Sequence, residues 1–115
     1  MSIRSQRVSE EIRKVISERL IRGIKTPLPG FVTISAVEVN SDLTVAKIFY
    51  SVFGSEEDKK GAGKALEEEK RALRYEVAQK VRLRLAPELV FVRDDSPERA
   101  ARISELLQGS KTNES

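Results

Sequence analysis

The chain has 115 residues, 39% of them hydrophobic and 34% charged, which is the size and balance of one soluble domain with a heavily charged surface. It contains no Cys and no His, and this excludes disulfides, thiolate or imidazole metal sites, imidazole-served nucleophiles and the usual proton shuttle near neutral pH. The formal net charge of +3 is unevenly spread: residues 1–25 carry +4, residues 71–84 carry another +4, and the remainder sums to −5. Two basic segments on an acidic frame read as a polyanion-binding face if the fold joins them. No apolar run approaches the roughly 20 residues of a membrane span. The N-terminal residues have no apolar signal region, so the expected location is the cytoplasm.

In chain order, Val8, Ile12, Val15, Ile16, Leu20 and Ile21 recur at spacings of three and four and predict an amphipathic helix over residues 4–22, with Ser5 or Ser9 as its start. Gly23, Pro27, Pro29 and Gly30 then break the chain into a loop. Residues 31–39 alternate and are rich in β-branched side chains, predicting a strand. Asn40, Ser41 and Asp42 supply turn chemistry, and residues 44–53 form a second β-rich run, so the two strands pair as an antiparallel hairpin.

Residues 56–63 mix charges with glycines and read as an exposed loop leading to a helix from about residue 64 to 82. Leu66, Leu73, Val77 and Val81 supply its core face, interrupted midway by Glu69 and Lys70. Pro87 bars further helix and makes residues 89–93 a third strand. Ser96 and Pro97 then begin a last helix that buries Ile103, Leu106 and Leu107, ends at Gly109 and leaves residues 110–115 as a disordered tail.

The expected architecture is a single α+β domain over residues 1–109 with the order α-β-β-α-β-α. The third strand returns by a right-handed crossover, and the helices pack on one face of a three-stranded sheet. That order is the type II KH arrangement.

Residues 30–35, 37–43 and 46–52, beginning Gly30-Phe31-Val32, closely resemble bacterial ribosome-binding factor A. Arg4, Arg7, Val8, Ile12 and Ile16 look like that family's first helix. Leu73-Arg74, residues 81–84 and Pro87-Glu88-Leu89 resemble its helix-to-strand junction, and residues 94–96 and 102–107 its closing segment. The resemblance covers about residues 3–107, and its specificity lies in the ordered combination of short pieces. It implies a KH-like protein that binds the free small ribosomal subunit and its 16S rRNA and assists late maturation, including processing of the precursor 5′ end, with particular importance in the cold. No member is known as a catalyst, and an assembly GTPase is a candidate second partner. The family lacks the Gly-x-x-Gly loop of ordinary KH domains and usually carries an Ala-x-Gly kink there. Its counterpart here is Glu69-Lys70-Arg71, which is neither.

Within Arg82-Leu83-Arg84-Leu85, extended alternation buries the leucines and turns both arginines outward, where guanidiniums suit phosphate oxygens and bases. Arg71, Arg74 and Lys80 extend that patch along the polar side of the helix. On the first helix, Arg13, Lys14 and Arg22 sit among Glu10, Glu11 and Glu18, and local pairing accounts for them. Lys47 is either a phosphate contact on an open sheet face or a charge that blunts a strand edge. The candidate rRNA-binding residues are therefore Arg4, Arg7, Lys47, Lys70, Arg71, Arg74, Lys80, Arg82 and Arg84. Phe49, Tyr50 and Phe53 are stacking platforms only if the core can spare them, since the chain has just six aromatics; Phe31 and Phe91 are read as core.

No catalytic, metal or cofactor site is expected. Consecutive carboxylates at Glu67, Glu68 and Glu69 point around a helix, and Asp94 and Asp95 precede a helix start. The readings that remain are a non-enzymatic, monomeric rRNA-binding assembly factor, a KH-like protein-interaction module without direct RNA binding, and, disfavoured by the missing His and Cys, a small nuclease.

Overall fold

The computed structural model describes residues 3–25 and 27–96. Their order is α1 (Ile3–Arg22), β1 (Phe31–Val39), β2 (Val45–Phe53), α2 (Glu56–Val81) and β3 (Glu88–Arg93). The expected last helix and the expected tail lie outside the described residues, apart from Ser96.

The periodicity of α1 does what it predicts: Val8, Ile12, Val15 and Ile16 are buried on one face. Ser5 and Ser9, however, are not helix starts. Both lie inside the helix and are buried. Ser9 Oγ donates to Ser5 O at 2.7 Å and accepts the backbone N–H of Val39 at 3.1 Å, pinning α1 to the end of β1. Ser9→Ala therefore leaves a buried N–H unpaired. The expected result is a loss of about 1–2 kcal/mol in urea unfolding; an unchanged midpoint would contradict this role.

The sheet order is β1-β2-β3, antiparallel between β1 and β2 and parallel between β2 and β3. Asn40 sets the hairpin turn, its Oδ1 accepting the N–H groups of Thr44 and Val45, both at 2.9 Å. The register shifts between Ile34 and Ala36, where Ser35 forms a bulge. The bulge switches which alternate residues face inward: Ile34 is buried on one side of it and Val39 on the other. Strict alternation therefore fails at Ser35. Phe31, expected in the core, lies opposite Phe53 on the outer face, and the two are 68% and 80% exposed.

The helix α2 begins two turns earlier than its apolar pattern predicts, so residues 56–63 are helix and not loop. Ser55 Oγ accepts the N–H of Asp58 while the Asp58 carboxylate accepts the N–H of Ser55, at 3.1 and 3.0 Å. Glu56, Glu57 and Asp58 add favourable negative charge at that end. The two glycines that resembled loop residues serve close packing. A Cβ at Gly61 would sit 2.8 Å from Pro29 Cγ, and one at Gly63 2.8 Å from Tyr50 Oη. The helix then runs unbroken through Glu69-Lys70-Arg71.

Both helices cover one face of the sheet. Ile12 and Ile16 of α1, Leu66, Leu73 and Val77 of α2, and Ala46, Ile48, Tyr50, Val52 and Leu89 of the sheet form one core. This is the α+β architecture expected from the sequence, as far as β3. Among the described residues no helix is long and apolar enough to cross a membrane.

Candidate nucleic-acid interface

The helix α2 ends at Arg82, whose backbone turns into the left-handed region with φ 58° and ψ 45°. The chain then passes through an irregular loop to the buried Pro87 before β3 starts at Glu88. This corrects the extended alternation expected for residues 82–85. Arg82 and Arg84 are both exposed, as expected, but Leu83 is only partly buried and Leu85 is 78% exposed. The left-handed turn ends α2, and the chain does not enter the sheet until Glu88, after the buried Pro87.

Arg74 braces this loop from α2, its Nη2 donating to Ala86 O at 2.9 Å. Arg4 from the start of α1, Arg74 and Arg84 line one groove together with Leu83, Leu85 and the hairpin-turn residues Asp42, Leu43 and Thr44. Three candidate arginines distant in sequence therefore converge. Asp42 is the groove's carboxylate, and its Oδ1 accepts the Thr44 hydroxyl at 3.2 Å.

The remaining candidates scatter. Lys70 turns toward β3, bonded to Glu67 at 2.7 Å with its Nζ 6.0 Å from the Phe91 ring centre, so its charge is already engaged. Lys80 turns the other way, toward α1. There Glu76 faces Lys80 at 4.0 Å, Arg19 at 3.4 Å and Arg22 at 3.3 Å. The basic residues of α2 are therefore not a single stripe. Arg71 points outward between these two groups with no side-chain partner among the described residues. Arg7 is exposed on α1 away from the groove. Lys47 lies on the outer sheet face opposite Glu38, on the central strand, which removes the edge-blunting reading.

Sequence reasoning missed the α1–α2 seam. Arg13 pairs locally with Glu10 at 2.8 Å, as expected, but Arg22 reaches Glu76 instead of a neighbour on its own helix. No short-range pattern signals a pairing across 54 residues. One carboxylate thus offsets three cations. Glu76→Gln is expected to raise retention on heparin while lowering stability by about 1 kcal/mol; unchanged retention would show that the carboxylate does not mask the cations.

The perturbed ionisations lie outside the groove. The Arg13 hydrogen bond holds the Glu10 carboxyl below its usual range, the Glu56 hydrogen bond raises Arg93, and burial raises the Tyr50 phenol. Tyr50 is buried, and its ring meets Phe91 edge-on with centres 6.5 Å apart, which assigns it to the core. Among the described residues no three His, Cys, Asp or Glu side chains are grouped to hold a metal ion.

The sequence model of ribosome-binding factor A matches residues 4–107. Ribosome-binding factor A of Brevibacillus brevis is 44% identical over an alignment of 117 positions that covers 97% of each chain. The crystal structure of ribosome-binding factor A from Thermus thermophilus superposes with a TM-score of 0.65 at 27% identity, covering 77% of this chain and 94% of that one. A homology model of the Thermus thermophilus factor, fitted into a cryo-EM map of its complex with the 30S subunit, gives a TM-score of 0.62 at 28% identity, covering 76% and 91%.

Proposed function

The chain belongs to the ribosome-binding factor A family, and from that membership we propose that it binds the free small ribosomal subunit through 16S rRNA and assists late maturation without catalysing a reaction. The observation that carries this reading is the groove in which Arg4, Arg74 and Arg84 converge beside the exposed Arg82. Guanidiniums projecting from separate elements concentrate positive charge where phosphate oxygens can meet it, and most of the binding free energy then comes from counterion release. Shape selects the folding intermediate. Within this reading the protein is a cytoplasmic monomer, its binding favours correct formation of the precursor 5′ end, its contribution is greatest in the cold, and an assembly GTPase is its candidate second partner.

The outer sheet face favours a second reading. Phe31 and Phe53 are exposed side by side there, Glu38 stands opposite Lys47, and the Asp94 carboxylate accepts the Ser35 hydroxyl at 3.3 Å, so the face has no excess of positive charge and suits a protein contact. Co-sedimentation separates the two. The proposal expects the chain to travel with free small subunits and not with large subunits or intact ribosomes. Recovery in the supernatant at low salt would remove it in favour of the interaction module.

A further inference from the structure

Resting on the rRNA-binding reading, we propose that Tyr75 is a stacking platform for an unpaired RNA base, the centre of a second contact on the outward ridge of α2 and its seam with α1. Among the described residues the large exposed apolar side chains are Ile3, Ile21, Phe31, Phe53, Tyr75 and Leu85. Tyr75 differs from the others in being an aromatic ring surrounded by cations. It is 67% exposed, on the polar side of an amphipathic helix where physical chemistry expects a charge. The pair Phe31 and Phe53 has no such setting.

Arg71 and Gln79 lie one helical turn to either side of Tyr75 and on its face. With Tyr75 they line a shallow depression that also includes Arg19, Lys25 and Lys80. The depression contains carboxylates too. Glu76 is taken up by Arg19, Arg22 and Lys80, Glu69 is buried, and Glu68 has a partner of its own. Arg71 has no side-chain partner among the described residues and is the cation available to a phosphate next to the ring. An exposed ring between a guanidinium and an amide, with Lys25 lining the same depression, suits single-stranded nucleotides: the ring takes the base face and the cations take the backbone. Because every base has such a face, the contact tolerates different sequences. Arg74 leans from the same helix toward the first groove, so α2 contributes a residue to each contact.

The test compares Tyr75→Ala, Tyr75→Phe and Tyr75→Trp for binding to purified free small subunits over a salt series. Tyr75→Ala is expected to weaken binding about five- to 150-fold, the range for one lost base stack, with no change in the slope against salt because no charge is removed. Tyr75→Phe and Tyr75→Trp are expected to remain within about threefold of the parent, since a ring is kept. The chain has no other Trp, so emission from Tyr75→Trp reports this position alone, and protein-free 16S rRNA is expected to quench it. The exposed position makes misfolding of these variants avoidable, and unchanged circular dichroism checks it. Wild-type binding that Tyr75→Ala leaves within about twofold, or an equal loss in Tyr75→Phe, overturns the stacking role while leaving the proposed function standing. Failure of the wild type to bind subunits at any salt overturns both.

Discussion

Arg82→Glu combined with Arg84→Glu is expected to lower affinity for free small subunits on the order of 100-fold, with the thermal midpoint within a few degrees of the parent. The magnitude follows from two charge-assisted contacts at about 1.5 kcal/mol each. The unchanged stability follows from exposure: neither guanidinium is bonded within the described residues, and the loop is held by Pro87 and by Arg74 on Ala86 O. Arg82 also carries a left-handed backbone, which L side chains adopt at a cost, so Arg82→Gly separates the two roles. That variant is expected to keep or gain stability while still losing affinity. Equal binding by the double variant would remove the groove from the interface.

Leu73→Ala is expected to have the opposite profile, a loss of about 3 kcal/mol in stability with binding reduced only through the unfolded fraction. Leu73 is 1% exposed in the core directly before Arg74, so truncation opens a cavity beneath the helix that carries the groove. Against a domain stability of about 5–15 kcal/mol this is a large fraction. Denaturant unfolding measures it, and a shift below about 1 kcal/mol would show that the core collapses around the missing side chain. Together the two variants separate affinity from folding.

The reasons some features were legible in the sequence and others were not are physical. Apolar spacing located α1, and β-branched runs located β1, β2 and β3 to within a residue, because one-sided burial imposes a period that composition preserves. Asn40 announced its turn because its side chain makes the turn's hydrogen bonds. The first two turns of α2 were hidden by Gly61 and Gly63, whose role is to admit Pro29 and Tyr50, although Ser55 and Asp58 form a capping box that was readable. The bulge at Ser35 left no periodic trace, and it turned Phe31 outward.

The candidate site was legible by residue type more than by arrangement. The sequence marks Arg82 and Arg84 as outward-facing, and both are exposed. Arg4 meeting Arg74 and Arg84 depends on α1, α2 and the hairpin turn meeting at one end of the sheet, which no local pattern encodes. Charge alone groups Lys70 and Lys80 with the arginines, yet Glu67, Phe91 and Glu76 claim them. No local pattern marks Tyr75, because an isolated aromatic on a charged helix has no meaning until its neighbours across the seam are known.

Phosphate neutralisation by Arg4, Arg74, Arg84 and the adjacent Arg82 is proposed to hold this chain on the small subunit. Its most direct test is the affinity of the wild type for purified free small subunits, measured by co-sedimentation across a salt series. The three groove arginines and the adjacent exposed Arg82 together predict a log–log slope of about −3, from roughly 0.7–0.9 for each phosphate contact. A flat dependence, or no binding at the lowest salt, would contradict it.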